Sequence, residues 1–146
     1  MKTRRVIALI LVSVVMLSLC ACSSGTKTII TSSNWVSDYH NEKRDTSTVT
    51  YYSDYKIFFY EDGSCKRTNN WRQESFLYGW QSGPEENSHI GTWKLEGDTV
   101  ITTVNGNETK YTFSHDKENN RYLLVQEVPM AADFKGITYY CEAAEQ

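Results

Sequence analysis

The chain has 146 residues, with 15 Lys and Arg against 18 Asp and Glu for a formal net charge of −3, and it carries 4 Trp, 10 Tyr and 5 Phe. A mildly acidic chain without a basic cluster excludes nucleic acid as a partner, because phosphates reward concentrated Lys and Arg. The length supports one hydrophobic core rather than two, so a single folded domain is expected.

The first 22 residues are patterned for export. Lys2, Arg4 and Arg5 form a basic start, an apolar run follows from Val6 to Leu19, and Leu19-Cys20-Ala21-Cys22 closes it. That order is a signal peptide's. The run is shorter than the roughly 20 apolar residues that a bilayer-spanning helix needs. The segment resembles the bacterial lipoprotein signal, in which Leu stands three residues before the modified cysteine, Ala or Gly stands immediately before it, and a Ser/Gly-rich stretch follows. Here that stretch is Ser23-Ser24-Gly25. Cleavage before Cys20 would place bulky Leu19 beside the cut, whereas cleavage before Cys22 presents Ala21, which makes Cys22 the expected lipid-attachment residue.

The resemblance implies an extracytoplasmic protein without residues 1–21, held on the cell membrane or the outer membrane by palmitate-type acyl chains. Two such anchors retain a domain without crossing the bilayer. Ser23 in place of Asp does not favour inner-membrane retention. Loss of Lys2, Arg4 and Arg5 leaves 12 basic against 18 acidic side chains, a net charge of about −6.

Residues 22–33 are small and hydroxyl-rich and read as a flexible lipidated tether, with the folded domain occupying 34–146. Thr48 to Tyr60 is a Tyr- and Phe-rich strand ending at the Glu61-Asp62-Gly63 turn. Ser64 to Trp71 and Ser75 to Gln81 read as the next two strands, the latter placing Phe76, Tyr78 and Trp80 on one face, and Ser82 to Ser88 reads as a loop. Gly91 to Leu95 alternates, Glu96-Gly97-Asp98 turns, and Thr99 to Val104 is β-branched. Asn105-Gly106 is the preferred pair for a tight hairpin. Lys110 to Ser114 and Arg121 to Gln126 complete a four-strand meander. Pro129 opens a short helical turn through Ala131, Ala132 and Phe134, and Ile137 to Cys141 is the last strand.

Eight or nine short strands without helices to cover them must bury their apolar faces against one another, and closure also removes exposed edges. The fold class expected is all-β, a small antiparallel up-and-down β-barrel of about eight strands. Phe58, Trp93, Tyr111, Phe113, Tyr122 and Tyr139 are its expected interior bulk. Trp35, Phe58-Phe59-Tyr60-Glu61-Asp62-Gly63, Gly91-Thr92-Trp93-Lys94-Leu95-Glu96-Gly97-Asp98 and Tyr122-Leu123-Leu124-Val125 together resemble bacterial lipocalin-like domains over Trp35 to Gln126. The lipocalin Gly-x-Trp signature is absent, because Ser33-Asn34 precede Trp35.

Chemistry-bearing patterns are few. Cys65 and Cys141 remain once Cys20 leaves and Cys22 is lipidated; in an oxidising compartment they form either a disulfide or two separate thiols. His40, His89 and His115 are isolated among polar residues and share no ligand spacing, so no metal, cofactor or catalytic residue is assigned and the chain is not read as an enzyme. The aromatic segment with Trp71, Phe76, Tyr78 and Trp80 is the candidate ligand-binding region, and Asn69, Asn70, Arg72 and Gln73 beside it suit protein contact or sugar stacking. Two functions are expected of such a chain. One is binding of a small apolar ligand in a barrel cavity; the other is a filled barrel serving as a protein-interaction module, such as an envelope assembly factor or an inhibitor of a wall-directed enzyme.

Overall fold

The computed structural model describes residues 25–128 and 136–142. The signal segment, the lipid-attachment residue Cys22 and the helical turn expected through Ala131, Ala132 and Phe134 lie outside these residues. Residues 1–32 and Ser33–Gln146 are separate units. In the first, residues 25–32 are helical where a flexible tether is expected. The hydroxyls that suggested a tether turn back onto their own helix instead: Thr31 Oγ1 donates to Lys27 O at 3.1 Å and Ser32 Oγ to Thr28 O at 2.7 Å.

The second unit is one antiparallel sheet of nine strands: β1 (Trp35–Ser37), β2 (Asn41–Arg44), β3 (Thr48–Phe59), β4 (Ser64–Ser75), β5 (Gln81–Glu96), β6 (Thr99–Val104), β7 (Asn107–Asp116), β8 (Arg121–Gln126) and β9 (Thr138–Glu142). From β3 to β9 each strand pairs with its predecessor in sequence, and β1 pairs with both β3 and β9. That double pairing closes an eight-stranded up-and-down barrel and leaves β2 outside it, so the expected architecture holds.

Local chemistry explains the meander. Asn105 and Gly106 have φ of 52° and 77°, the left-handed pair that a two-residue hairpin needs to match strand twist. At the β3–β4 turn Asp62 Oδ1 accepts from Ser64 N at 2.8 Å and from Ser64 Oγ at 2.6 Å, pinning the reversal. Gly91 answers a close approach of two chains. A Cβ there would lie 2.2 Å from Thr103 O and 2.7 Å from Val104 Cγ2, so no larger residue fits where β5 first meets β6.

Register decides which side chains fill the lumen. Trp35 opposes Ile57 and Phe59 opposes Cys65, while Val100 opposes Tyr111 and Leu124 opposes Tyr139. All eight are buried. Aromatic rings meet mostly edge to face: Phe59 on Trp93 at 5.1 Å, Tyr111 on Tyr139 at 5.9 Å and Trp35 on Phe113 at 6.2 Å. Such contacts add about 0.5–1.5 kcal/mol each beyond area burial. Phe58, expected inside, is only half-buried and sits on the opposite face from Ile57 and Phe59. The pairing of β3 with β1 and β4 sets that parity, and a single run of aromatics cannot reveal it.

The other correction concerns β5. The expected strand from Ser75 to Gln81 does not form: residues 76–80 are the turn between β4 and β5. The expected loop from Ser82 to Ser88 is strand, laddered to β4 from Gln81 to Thr92. Gly83 and Pro84 mislead because they occupy a bulge, where two residues face Arg72 alone between the Trp71–Glu85 and Gln73–Ser82 pairs. Residues 81–90 have no second neighbour until β6 begins, so Pro84 removes no ladder bond on that side. Proline, Glu85 and Glu86 on one edge, and the fully exposed Asn41–Arg44 on the other, discourage further strands from adding.

Trp93 is 7% exposed, and its Nε1 donates to Tyr60 O at 2.8 Å. Trp93→Ala is expected to lower stability by about 3–5 kcal/mol, and Trp93→Phe, which keeps much of the ring and loses the bond, by about 1 kcal/mol from the hydrogen bond alone. Urea unfolding followed by circular dichroism checks both; a loss below 1 kcal/mol for the alanine variant would reverse the inward assignment.

Candidate functional site

β3, β4 and β5 are longer than the barrel is tall. β1 covers β3 only from Tyr55 to Ile57, and beyond it β2 pairs with Val49 to Tyr52. The first half of β3, the second half of β4 and the first half of β5 therefore continue past the barrel with β2 as a four-stranded arm. The handover is marked by Asp54, whose φ is 54° and where the β3–β4 register shifts. Asp54 Oδ2 accepts from Ser53 Oγ at 2.8 Å and from Asn70 Nδ2 at 3.0 Å. Those bonds hold its carboxyl below the usual carboxylate range, so the bend is fixed by an ionised side chain at neutral pH.

At the far end of the arm the β4–β5 turn displays its apolar residues outward. Phe76 is 61% exposed, Leu77 63%, Tyr78 77% and Trp80 41%. The turn is tied down all the same. Ser75 N donates to Trp80 O at 2.9 Å, Gly79 N donates to Ser75 O at 3.0 Å, and Tyr78 N donates to Ser75 Oγ at 3.2 Å. Ser75 is buried and its Oγ also donates to Ser47 O at 3.3 Å, joining the turn to the β2–β3 connection. Exposed apolar side chains on a hydrogen-bonded frame cost hydration free energy without improving the core.

Two clefts flank the arm. One of 390 Å³ is lined by Arg44, Val49, Tyr51, Phe76 and Trp80 among others. The second, of 640 Å³, is lined by His40, Tyr52, Asp54, Asn70, Trp71 and Arg72, with Tyr51 shared between the two. The four residues singled out from sequence are thus divided. Phe76 and Trp80 share the smaller cleft, Trp71 belongs to the larger, and Tyr78 lines neither. Arg72 stacks on Tyr51 with its guanidinium carbon 4.6 Å from the ring centroid and pairs with Glu74 at 3.7 Å. Tyr51 and Arg44 carry no sequence signal of their own; they enter only because β2 and β3 pair.

The lumen holds a polar group that sequence reasoning missed. Arg67 alternates with buried Cys65 on β4 and opposes Ile57, so it faces inward and is half-buried. Its charge acts on the phenols of Tyr111 on β7 and Tyr139 on β9, while Thr102 Oγ1 on β6 donates to Thr109 O at 3.5 Å. Burial pushes Tyr55 up to about 12 and raises Tyr111 and Tyr139 as well, while Arg67 opposes the rise at the latter two by favouring their phenolates.

Cys65 and Cys141 are both buried, and no disulfide joins them. They lie on β4 and β9, which are not neighbours, and Cys65 Sγ donates to Thr92 O at 3.4 Å instead. Burial raises the Cys65 thiol further from its thiolate. His115 packs on Tyr122 at 4.7 Å, His40 lines the larger cleft and His89 is exposed. Among the described residues no three His, Cys, Asp or Glu converge as metal ligands, and no helix is long and apolar enough to cross a membrane. No family model, curated protein or solved structure matches this chain.

The raised tyrosines set a sign for alkaline stability. A phenol that binds its proton more tightly when folded contributes fully below its unfolded value of about 10, and the contribution is lost as pH rises through the folded value, about 12 for Tyr55. Phenolate absorbance and loss of the β signal in circular dichroism are therefore expected to rise together across that window. Complete tyrosine ionisation near 10 with an intact fold would contradict the buried arrangement.

Proposed function

We propose that this protein is a lipid-anchored cell-envelope protein with a non-catalytic, lipocalin-like binding domain, in which the barrel is the scaffold and the arm makes the contact. The observation that carries this reading is the exposed Phe76-Leu77-Tyr78 tip, held rigid by Ser75. Rigid aromatic side chains lose little entropy on binding and are the usual anchors of protein interfaces. The lumen, packed with Trp35, Phe59, Trp93, Tyr111 and Tyr139, favours a scaffold role over carriage of a bulky guest. The partner class that fits is an envelope protein, as in an assembly factor or an inhibitor of a wall-directed enzyme. A small apolar ligand is the second reading. The 390 Å³ cleft between Val49, Phe76 and Trp80 supports it, at the low end of the volumes usual for small-molecule sites.

Anchoring and contact are tested separately. Cys22→Ser removes the thiol that accepts lipid and is expected to move the protein from the membrane to the soluble fraction; retention would remove the anchor from the proposal. For the contact, a photoreactive phenylalanine analogue replaces Tyr78 in intact cells, with the same analogue at exposed Lys110 on the barrel wall as control. A single protein adduct from position 78 and none from 110 is expected. Equal labelling from both positions, or none from 78, would rule out the arm as the contact surface.

A further inference from the structure

We propose that the larger arm cleft is a binding site for a neutral saccharide, with the carboxylate of Asp54 and the amide of Asn70 taking its hydroxyls. The cleft measures 640 Å³ and is lined by residues of β2, β3 and β4 together with His40 and Pro84. That volume falls inside the range of about 300–1,000 Å³ usual for small-molecule sites. β3 bends at Asp54 and β5 bulges beside Arg72, and each irregularity adds local twist, so residues of both strand parities reach one cleft.

The polar centre of the cleft is already oriented. Asp54 accepts from Ser53 Oγ at 2.8 Å and from Asn70 Nδ2 at 3.0 Å, and both bonds fall on Oδ2. Its Oδ1 takes no bond from any described residue, and Asn70 keeps its side-chain carbonyl and one N–H. Asp54 is exposed and Asn70 half-buried, so a guest can reach both. A fixed carboxylate oxygen beside a fixed amide presents acceptors and a donor side by side. A hydroxyl that donates to the carboxylate makes the stronger, charge-assisted bond.

Aromatic residues frame that centre. Tyr52 opposes Trp71 across β3 and β4, and Tyr51 opposes Arg72, whose guanidinium carbon lies 4.6 Å from the Tyr51 ring centroid. Trp71 and Tyr52 are half-buried, and neither the indole N–H nor the phenol bonds to a described residue. No buried side-chain N or O among the described residues lacks a partner, so both polar tips meet solvent. This mixture disfavours simpler guests. An apolar one would strip water from these groups and return nothing. An anion meets the carboxylates of Asp54 and Glu42, and a cation meets the guanidinium of Arg72. A pyranose answers each part: it has no net charge, its hydroxyls both donate and accept, and its C–H face suits an aromatic ring.

The test titrates two uncharged sugars, tri-N-acetylchitotriose and maltotriose, into the full-length lipid-modified protein by calorimetry, in a detergent without a sugar head group. At least one is expected to bind with Kd below about 1 mM. Asp54→Asn keeps the size and suits the left-handed φ of 54°. It is expected to weaken that binding by about tenfold or more through loss of the charge, and Trp71→Leu should weaken it as well. Phe76→Ser with Trp80→Ser should leave it unchanged, since those residues line the smaller cleft. Co-sedimentation with insoluble chitin or starch, matched to the sugar that binds, points to a glycan strand as the source, and its absence to a free oligosaccharide. Should the Asp54 or Trp71 variant fail to fold, the indole N–H resonances of the unaltered protein decide: that of Trp71 should shift with added sugar while that of Trp93, bonded to Tyr60 O, stays. No binding of either sugar at about 10 mM, unchanged affinity in both cleft variants, loss of binding in the Phe76 and Trp80 variant, or an unmoved Trp71 resonance would each overturn the proposal.

Discussion

The whole domain depends on three residues, Trp35 to Ser37, pairing along both of their edges. Seven successive hairpin-linked strands would otherwise form an open sheet, with the wall strands β3 and β9 each presenting a row of unpaired peptide groups. β1 fills that gap, bonding β3 through Trp35, Val36 and Ser37 and β9 through Val36 alone. So short a seam needs help from packing. Trp35 supplies it by reaching inward with no exposed surface and setting its ring edge-on to Phe113 from β7. Closure therefore couples the start of the domain to its end and to its far wall at once.

Once the wall is closed, the surplus length of three strands accounts for the remaining architecture. β3, β4 and β5 contain 12, 12 and 16 residues, whereas β6 and β8 contain 6 each. The excess cannot fold back into a lumen already filled by aromatic rings, so it projects, and β2 joins it to satisfy one of its edges. Exposure of Phe76, Leu77, Tyr78 and Trp80 follows from their place at the tip, beyond the packed lumen. Arg67 sits where the filled lumen gives way to the arm.

The second half of the fold was legible because its signals are local. The β-branched run Thr99 to Val104 and the run Arg121 to Gln126, with Asn105-Gly106 and Gly97 at the turns, lead to the strand limits observed. The first half was less so, for reasons that are not local. Phe58 and Phe59 are equally greasy, and only their partners across the sheet choose which turns inward. Pro84 and Gly83 advertise a loop until a one-sided ladder tolerates them as a bulge. β2 is four polar residues without an apolar face, and its pairing alone makes it a strand. At the candidate site, Trp71, Phe76, Tyr78 and Trp80 were visible as aromatic residues, but their division between two clefts and a tip depends on where the turn falls. Arg67 was invisible, because a cation between Lys66 and Thr68 reads as surface until the barrel is closed around it.

Continuity of the strands between wall and arm has a mechanical consequence. A pull on the hairpin tip runs along β3, β4 and β5, across the direction of their ladder bonds, so that many bonds are stressed side by side instead of one after another. A seam loaded in this way fails late, whereas the same seam peeled from one end would part bond by bond.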